Sequence, residues 1–128
     1  MTTPHILIVD ADILVRTPLA QYLRECGYLV IEAASGEEAK ALLTDSATAV
    51  DIVLADVAGE DPGGFALAKW IRDLSRGIRV ILAGSIAGSV EKAAGLCDEG
   101  PALSKPYDHR AVLQQIQRLR ANRKDDSV

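Results

Sequence analysis

Apolar residues fall in two alternating patterns along this chain. The first is the short unbroken run: Ile6-Leu7-Ile8-Val9 behind His5, Leu29-Val30-Ile31 within 28–33, Ile52-Val53-Leu54-Ala55 between Asp51 and Asp56, and Val80-Ile81-Leu82-Ala83 behind Arg79. Such runs, rich in Ile, Val and Leu and too short for a helix, read as strands, and the unbroken ones as strands buried on both faces. The second pattern is helical. Residues 13–25 repeat apolar positions at Val15, Leu19, Tyr22 and Leu23, residues 65–75 at Leu67, Ile71 and Leu74, and a last segment at Val112, Leu113, Ile116 and Leu119. A helix between them opens at Ser35, whose spacing to Glu38 makes a capping box, and runs to about Asp45 with Ala39, Leu42 and Leu43 inward.

Punctuation residues set the ends. Gly27 closes the first helix and Gly77 the third, while residues 59–64 form a glycine-rich turn. Pro18 lies inside the first helical repeat, so that helix either bends there or starts late, with Thr17 as cap and Pro18 as first residue. The stretch 86–100 is poorly specified, because Gly88 and Gly95 each weaken a helix by roughly 1 kcal/mol relative to alanine. Residues 102–104 make a short fifth strand, and Asp108 caps the last helix. The polar tail 121–128 is expected to fray. Five strand–helix units joined by right-handed crossovers give a five-stranded parallel sheet covered on both faces. Length suits one domain spanning 1–128 with its core in 5–120.

Composition narrows the function classes. Aromatics are only 4% of the 128 residues, so the core is aliphatic. A net charge of −4 argues against a nucleic-acid surface, which needs a basic stripe. No apolar run approaches the roughly 20 residues of a membrane helix, and the first residues do not form a signal peptide. A cytoplasmic protein is expected. Cys26 and Cys97 match no metal or redox spacing and are expected to be plain thiols in a reducing compartment. His5 and His109 are expected to have no acid, serine or cysteine beside them, and Trp70 to be a half-buried packing residue.

Candidate chemistry gathers where strands end, since ligands of open parallel sheets bind outside the carboxyl ends. Asp56 closes the central strand; Asp10 and Asp12 follow the first, Ala83-Gly84-Ser85 the fourth and Lys105-Pro106 the fifth. Ile6-Leu7-Ile8-Val9-Asp10, Gly27-Tyr28, Ser35-Gly36-Glu37-Glu38-Ala39, Asp51 to Val57, Gly64-Phe65 and Lys105-Pro106-Tyr107, in that order and spacing, resemble the response-regulator receiver domain of two-component signalling. The resemblance covers about residues 5–120. It implies a flavodoxin-like (βα)5 doubly wound sheet with strand order 2-1-3-4-5, and it is strongest to small receivers with a Lys-Pro-Tyr ending.

In that family the aspartate matching Asp56 accepts a phosphoryl group from a phosphohistidine. The resemblance implies Asp56 as phosphoacceptor and Mg²⁺ ligand, Asp10 and the backbone carbonyl of Ala58 as further ligands, and Lys105 as partner of the phosphoryl oxygens. It also implies a cis Lys105-Pro106 bond. The chain departs from the family at several places. Gly59-Glu60 replaces the Met-Pro pair that follows the acceptor loop. Ala11 stands where a second acid usually touches the metal, leaving Asp12 as a substitute ligand or as a helix cap. Gly84 stands at the switch hydroxyl, leaving Ser85 as a stand-in or as a cap. Ala102 stands at the switch aromatic. Weak Mg²⁺ binding follows, because Mg²⁺ wants near-octahedral oxygens and keeps several waters when few are offered.

Three functions are compared. One is a stand-alone, non-enzymatic phosphoacceptor served by a histidine kinase or histidine phosphotransfer protein, acting by docking to a downstream protein. The second is a degenerate receiver that binds partners without phosphorylation. The third, a flavin binder, is disfavoured by the acidic first loop and the scarcity of aromatics to stack a flavin.

Overall fold

The computed structural model describes residues 4–45, 48–57, 64–74, 76–99 and 109–126. The elements are β1 (His5–Val9), α1 (Ile13–Glu25), β2 (Leu29–Ala33), α2 (Gly36–Thr44), β3 (Ile52–Asp56), α3 (Gly64–Asp73), β4 (Arg79–Ala83), α4 (Ile86–Glu99) and α5 (His109–Asp126). The strands form a parallel sheet in the order β2-β1-β3-β4. This is the flavodoxin-like order expected, up to its fourth strand; the fifth strand, at 102–104, and the cap at Asp108 lie outside the described residues.

Each strand presents alternate residues to two helical layers. Ile6, Ile8 and Leu54 face α1, α4 and α5, packing with Val15, Leu19, Leu23, Val90 and Ile116. Leu7, Val9, Val53 and Ala55 face α2 and α3, meeting Leu43, Leu67 and Ile71. Both faces of β1 and β3 are thus covered, and this is why those strands read as unbroken apolar runs.

Pro18 sits within α1, whose cap is Asp12, so the helix does not start late. Gly27 and Gly77 adopt positive φ, 101° and 71°, the left-handed conformation that ends a helix without a Cβ penalty.

Several expectations are corrected. The weakly specified stretch is the continuous helix α4, because Val90, Ala93 and Leu96 bury one face and Ser85 caps it. Gly88 even makes room for that cap, as a Cβ there would sit 3.1 Å from Ser85 Oγ. In the structure α5 extends into the polar segment, to Asp126. Leu119 does not join Ile116 in the core; it is 37% exposed, whereas Ile116 is fully buried.

The cysteines are also corrected. Cys26, the residue after α1, and Cys97, near the end of α4, form a disulfide with Cα atoms 5.6 Å apart. Their 71-residue separation hid a contact that only the packing of α1 on α4 creates. The buried Tyr28 hydroxyl donates to the Leu96 carbonyl at 2.6 Å, joining the same two regions. His5 does have an acid beside it: its backbone N–H donates to Asp51 Oδ2 at 2.8 Å, and its Nδ1 lies 3.8 Å from that oxygen. Trp70 is half-buried as expected, with Lys40 Nζ 5.6 Å from its ring centre.

Candidate functional site at the carboxyl edge of the sheet

Strand register brings the candidate acids together. Val9 pairs with Ala55, so the next residues, Asp10 and Asp56, leave the sheet side by side. Asp56 in turn pairs with Ala83, which places Gly84 and Ser85 on its other flank. A cavity of about 230 Å³ results, lined by Asp10, Asp12, Asp56, Gly84, Ser85 and Ser89, with Arg120 arriving from α5.

The first loop is held tightly. Asp10 N–H donates to the Ala33 carbonyl at 3.1 Å, and Asp10 Oδ1 accepts from Asp12 N–H at 2.9 Å. Arg16 donates from Nη1 to the Asp10 carbonyl at 2.9 Å while its Nε meets Glu32 Oε1 at 3.1 Å. Burial pushes the Asp10 carboxyl above its ordinary value of 3.8; the Asp12 N–H opposes the rise, and the charges of Asp56 and Asp12 add to it. Two carboxylates thus compete for one small space, and a cation between them would relieve both.

The fates of the substitute residues are clear. Asp12 caps α1, its Oδ1 accepting from Leu14 N–H at 2.9 Å. Its Oδ2 meets Arg120 Nε at 3.1 Å. Ala11 is exposed at the loop's tip. Among the described residues no group of three or more His, Cys, Asp or Glu is arranged to hold a metal. What fits a divalent cation is therefore the Asp10–Asp56 pair, enough for one that keeps most of its water. Ser85 serves as the α4 cap, its Oγ accepting from Gly88 N–H at 2.9 Å, and it also lines the cavity. Among the described residues Gly84 leaves space: a Cβ there would find only Val57 Cγ2, at 3.5 Å. Ala58 and Lys105 lie outside the described residues, as does the Lys105-Pro106 bond.

Gly64 shapes the site from behind. A Cβ there would lie 2.8 Å from both the Asp56 carbonyl oxygen and Val57 Cα. Only glycine lets the start of α3 approach the end of the central strand this closely. Two further residues, Ser89 and Arg120, join the site without any local sequence signal. Ser89 is the buried polar residue of the core, and Arg120 reaches the cavity only because α5 packs beside α1.

A doubly wound parallel sheet with a paired-acid cleft at its carboxyl edge defines a flavodoxin-like receiver fold. Comparison with known proteins agrees. The response regulator receiver domain model matches residues 6–117. The chain belongs to the response-regulator receiver domain family. It is 30% identical over 120 residues to the transcriptional regulatory protein AruR of Pseudomonas aeruginosa, covering 91% of this chain and 49% of AruR. It is 28% identical to the aerobic respiration control protein ArcA of Escherichia coli K12, covering 93% and 49%. The chain thus spans about half the length of these relatives. Among solved structures it is similar to the chemotaxis response regulator CheY4 of Vibrio cholerae (25% identity, TM-score 0.61, covering 91% of this chain and 98% of that one). It is also similar to the HemR receiver domain of Leptospira biflexa (28%, TM-score 0.60, covering 91% and 93%).

Proposed function

We propose that this receiver accepts a phosphoryl group on Asp56 and passes its state on by docking to another protein. The observation that carries the reading is the strand register, which sets Asp56 beside Asp10 in a cleft open at the carboxyl edge. In the transfer an Asp56 carboxylate oxygen bonds to phosphorus. The bond from phosphorus to the donor's imidazole nitrogen breaks, and its electron pair leaves with the imidazole. Two anions meet in this step, so catalysis is mainly positioning and charge neutralisation. Mg²⁺ would supply positive charge that offsets the repulsion between the carboxylates and the incoming phosphoryl group. Asp10, Asp56 and the Ala58 carbonyl are its proposed ligands. Lys105 is the proposed partner of the phosphoryl oxygens. Asp12 is a cap in the structure and is not proposed as a ligand.

The donor is a histidine kinase or a histidine phosphotransfer protein, and the chain is a phosphoacceptor without turnover beyond its own phosphorylation and dephosphorylation. Residues 1–128 act as one unit in this reading. No described helix is long and apolar enough to cross a membrane, and we place the protein in the cytoplasm, where reducing conditions oppose the Cys26–Cys97 link.

The test is intact mass after exposure to acetyl phosphate, with and without Mg²⁺. A gain of one phosphoryl group that Asp56→Asn abolishes supports the reading; equal labelling of that variant refutes it. A second reading, a phosphorylation-independent binding module, is favoured by the exposed Ala11 and by the engagement of Asp12 with Arg120. A wild-type protein that never gains mass supports that alternative.

A further inference from the structure

Among the described cations of α5, Arg120 reaches the acidic cleft. Its Nε lies 3.1 Å from Asp12 Oδ2, and it lines the same cavity as Asp10 and Asp56. The pair is partly shielded, with side-chain exposures of 43% for Arg120 and 32% for Asp12. Asp12 therefore has both oxygens engaged, one by the Leu14 N–H and one by a guanidinium. Asp12 sits one residue beyond the position where the first loop lacks an acid, so it is the nearest carboxylate to replace the one that Ala11 omits.

We propose that Arg120 is a resident counter-cation of this cleft: it holds Asp12 away from any divalent ion and adds positive charge to the cavity that Asp10 and Asp56 line. The proposal rests on the reading of this cleft as the cation and phosphoryl site. A guanidinium is permanently charged and donates in a fixed fork, so it neutralises a carboxylate without exchange with solvent ions. A phosphoryl group entering the cleft meets the Arg120 charge before any metal binds. A divalent ion entering it meets the same charge as a repulsion.

Isothermal titration of the full chain with MgCl₂ at fixed ionic strength tests this directly. Arg120→Gln is expected to bind Mg²⁺ about three- to tenfold more tightly than wild type, as a unit charge is removed and Asp12 Oδ2 is released. Arg120→Lys keeps the charge and is expected to stay within about twofold of wild type. Asp12→Asn still caps α1 and leaves the guanidinium facing fewer acids, so it is expected to weaken Mg²⁺ binding severalfold. This variant also serves if Arg120→Gln fails to fold. A purely structural staple between α1 and α5 predicts a lower melting midpoint and unchanged affinity for Arg120→Gln, and that result overturns the proposal. So does an absence of Mg²⁺ binding in both wild type and Arg120→Gln, or an unchanged affinity in Asp12→Asn. The titration needs no phosphoryl transfer. Tighter Mg²⁺ binding in Arg120→Gln with no labelling of wild type would uphold the counter-cation and refute the phosphoacceptor. Labelling at Asp56 with unaltered affinity would do the reverse.

Discussion

Gly64 and Gly84 look alike in the sequence, yet the structure gives them opposite tolerances. At Gly64 both nearest obstacles are backbone atoms of Asp56 and Val57 at 2.8 Å, and backbone cannot swing aside. Gly64→Ala is expected to cost about 1–3 kcal/mol of stability in denaturant unfolding, the range for forcing extra volume into a packed site. It should also slow labelling at Asp56, whose backbone must shift. At Gly84 the only neighbour among the described residues is 3.5 Å away, an ordinary contact, so Gly84→Ser should fold with a stability change within about 0.5 kcal/mol. That variant restores the hydroxyl position implied by the family resemblance. Amide shifts at Val112 and Ile116 on adding a phosphoryl mimic are expected to grow in Gly84→Ser and to stay small in wild type. Asp10 carries a pH prediction. The folded protein holds the Asp10 proton more tightly than the unfolded chain does, because burial dominates. This favours folding fully below pH 3.8, the ordinary value, and the contribution is lost as pH rises through the higher folded value. Asp10→Asn keeps an oxygen for the Asp12 N–H and removes the buried charge. Its thermal midpoint should exceed that of wild type at neutral pH, with the gap closing as the pH falls toward 3.8.

Among the elements, β1 and β4 carry their boundaries in the sequence, because an unbroken aliphatic run is a local signal, while α1 carries its end at Gly27 but left its start open around Pro18. Ser35 capping α2 through Glu38 N–H at 3.1 Å is the same kind of signal. Where tertiary contacts decide, the sequence was silent. The helicity of α4 depends on burying Val90, Ala93 and Leu96 against α1 and the sheet, which outweighs two glycines. The disulfide depends on that same packing, and so does the presence of Arg120 at the acids, since it follows from where α5 lies. The places of Asp10, Asp56 and Gly84 at strand ends were legible because strand ends follow from the apolar pattern; the register that sets them side by side came from the structure, and the roles expected of them from the family resemblance. The covalent link between α1 and α4 has a measurable consequence. Closing a loop of about 71 residues restricts the unfolded chain by about 4 kcal/mol in the chain-entropy account. The guanidinium midpoint of the oxidised protein should fall on adding reductant, and that of Cys97→Ser should not respond. Equal midpoints with and without reductant in the wild type would contradict a formed link.

For the whole molecule, the sheet acts as a scaffold that aligns three strand ends, β1, β3 and β4, and leaves their side chains facing one small cavity. On the proposed reading, stability, cation affinity and chemistry share the same acids. Crowding Asp10 and Asp56 costs folding energy that a bound cation returns, so Mg²⁺ at one hundred times its dissociation constant should raise unfolding stability by about 2.7 kcal/mol. The increase should be smaller in Asp10→Asn. All of this converges on Asp56. The most direct measurement is the intact mass of the wild-type chain and of Asp56→Asn after incubation with acetyl phosphate and saturating Mg²⁺. The account predicts a gain of one phosphoryl group in the wild type and none in the variant; equal labelling of the two, or none in the wild type, would contradict it.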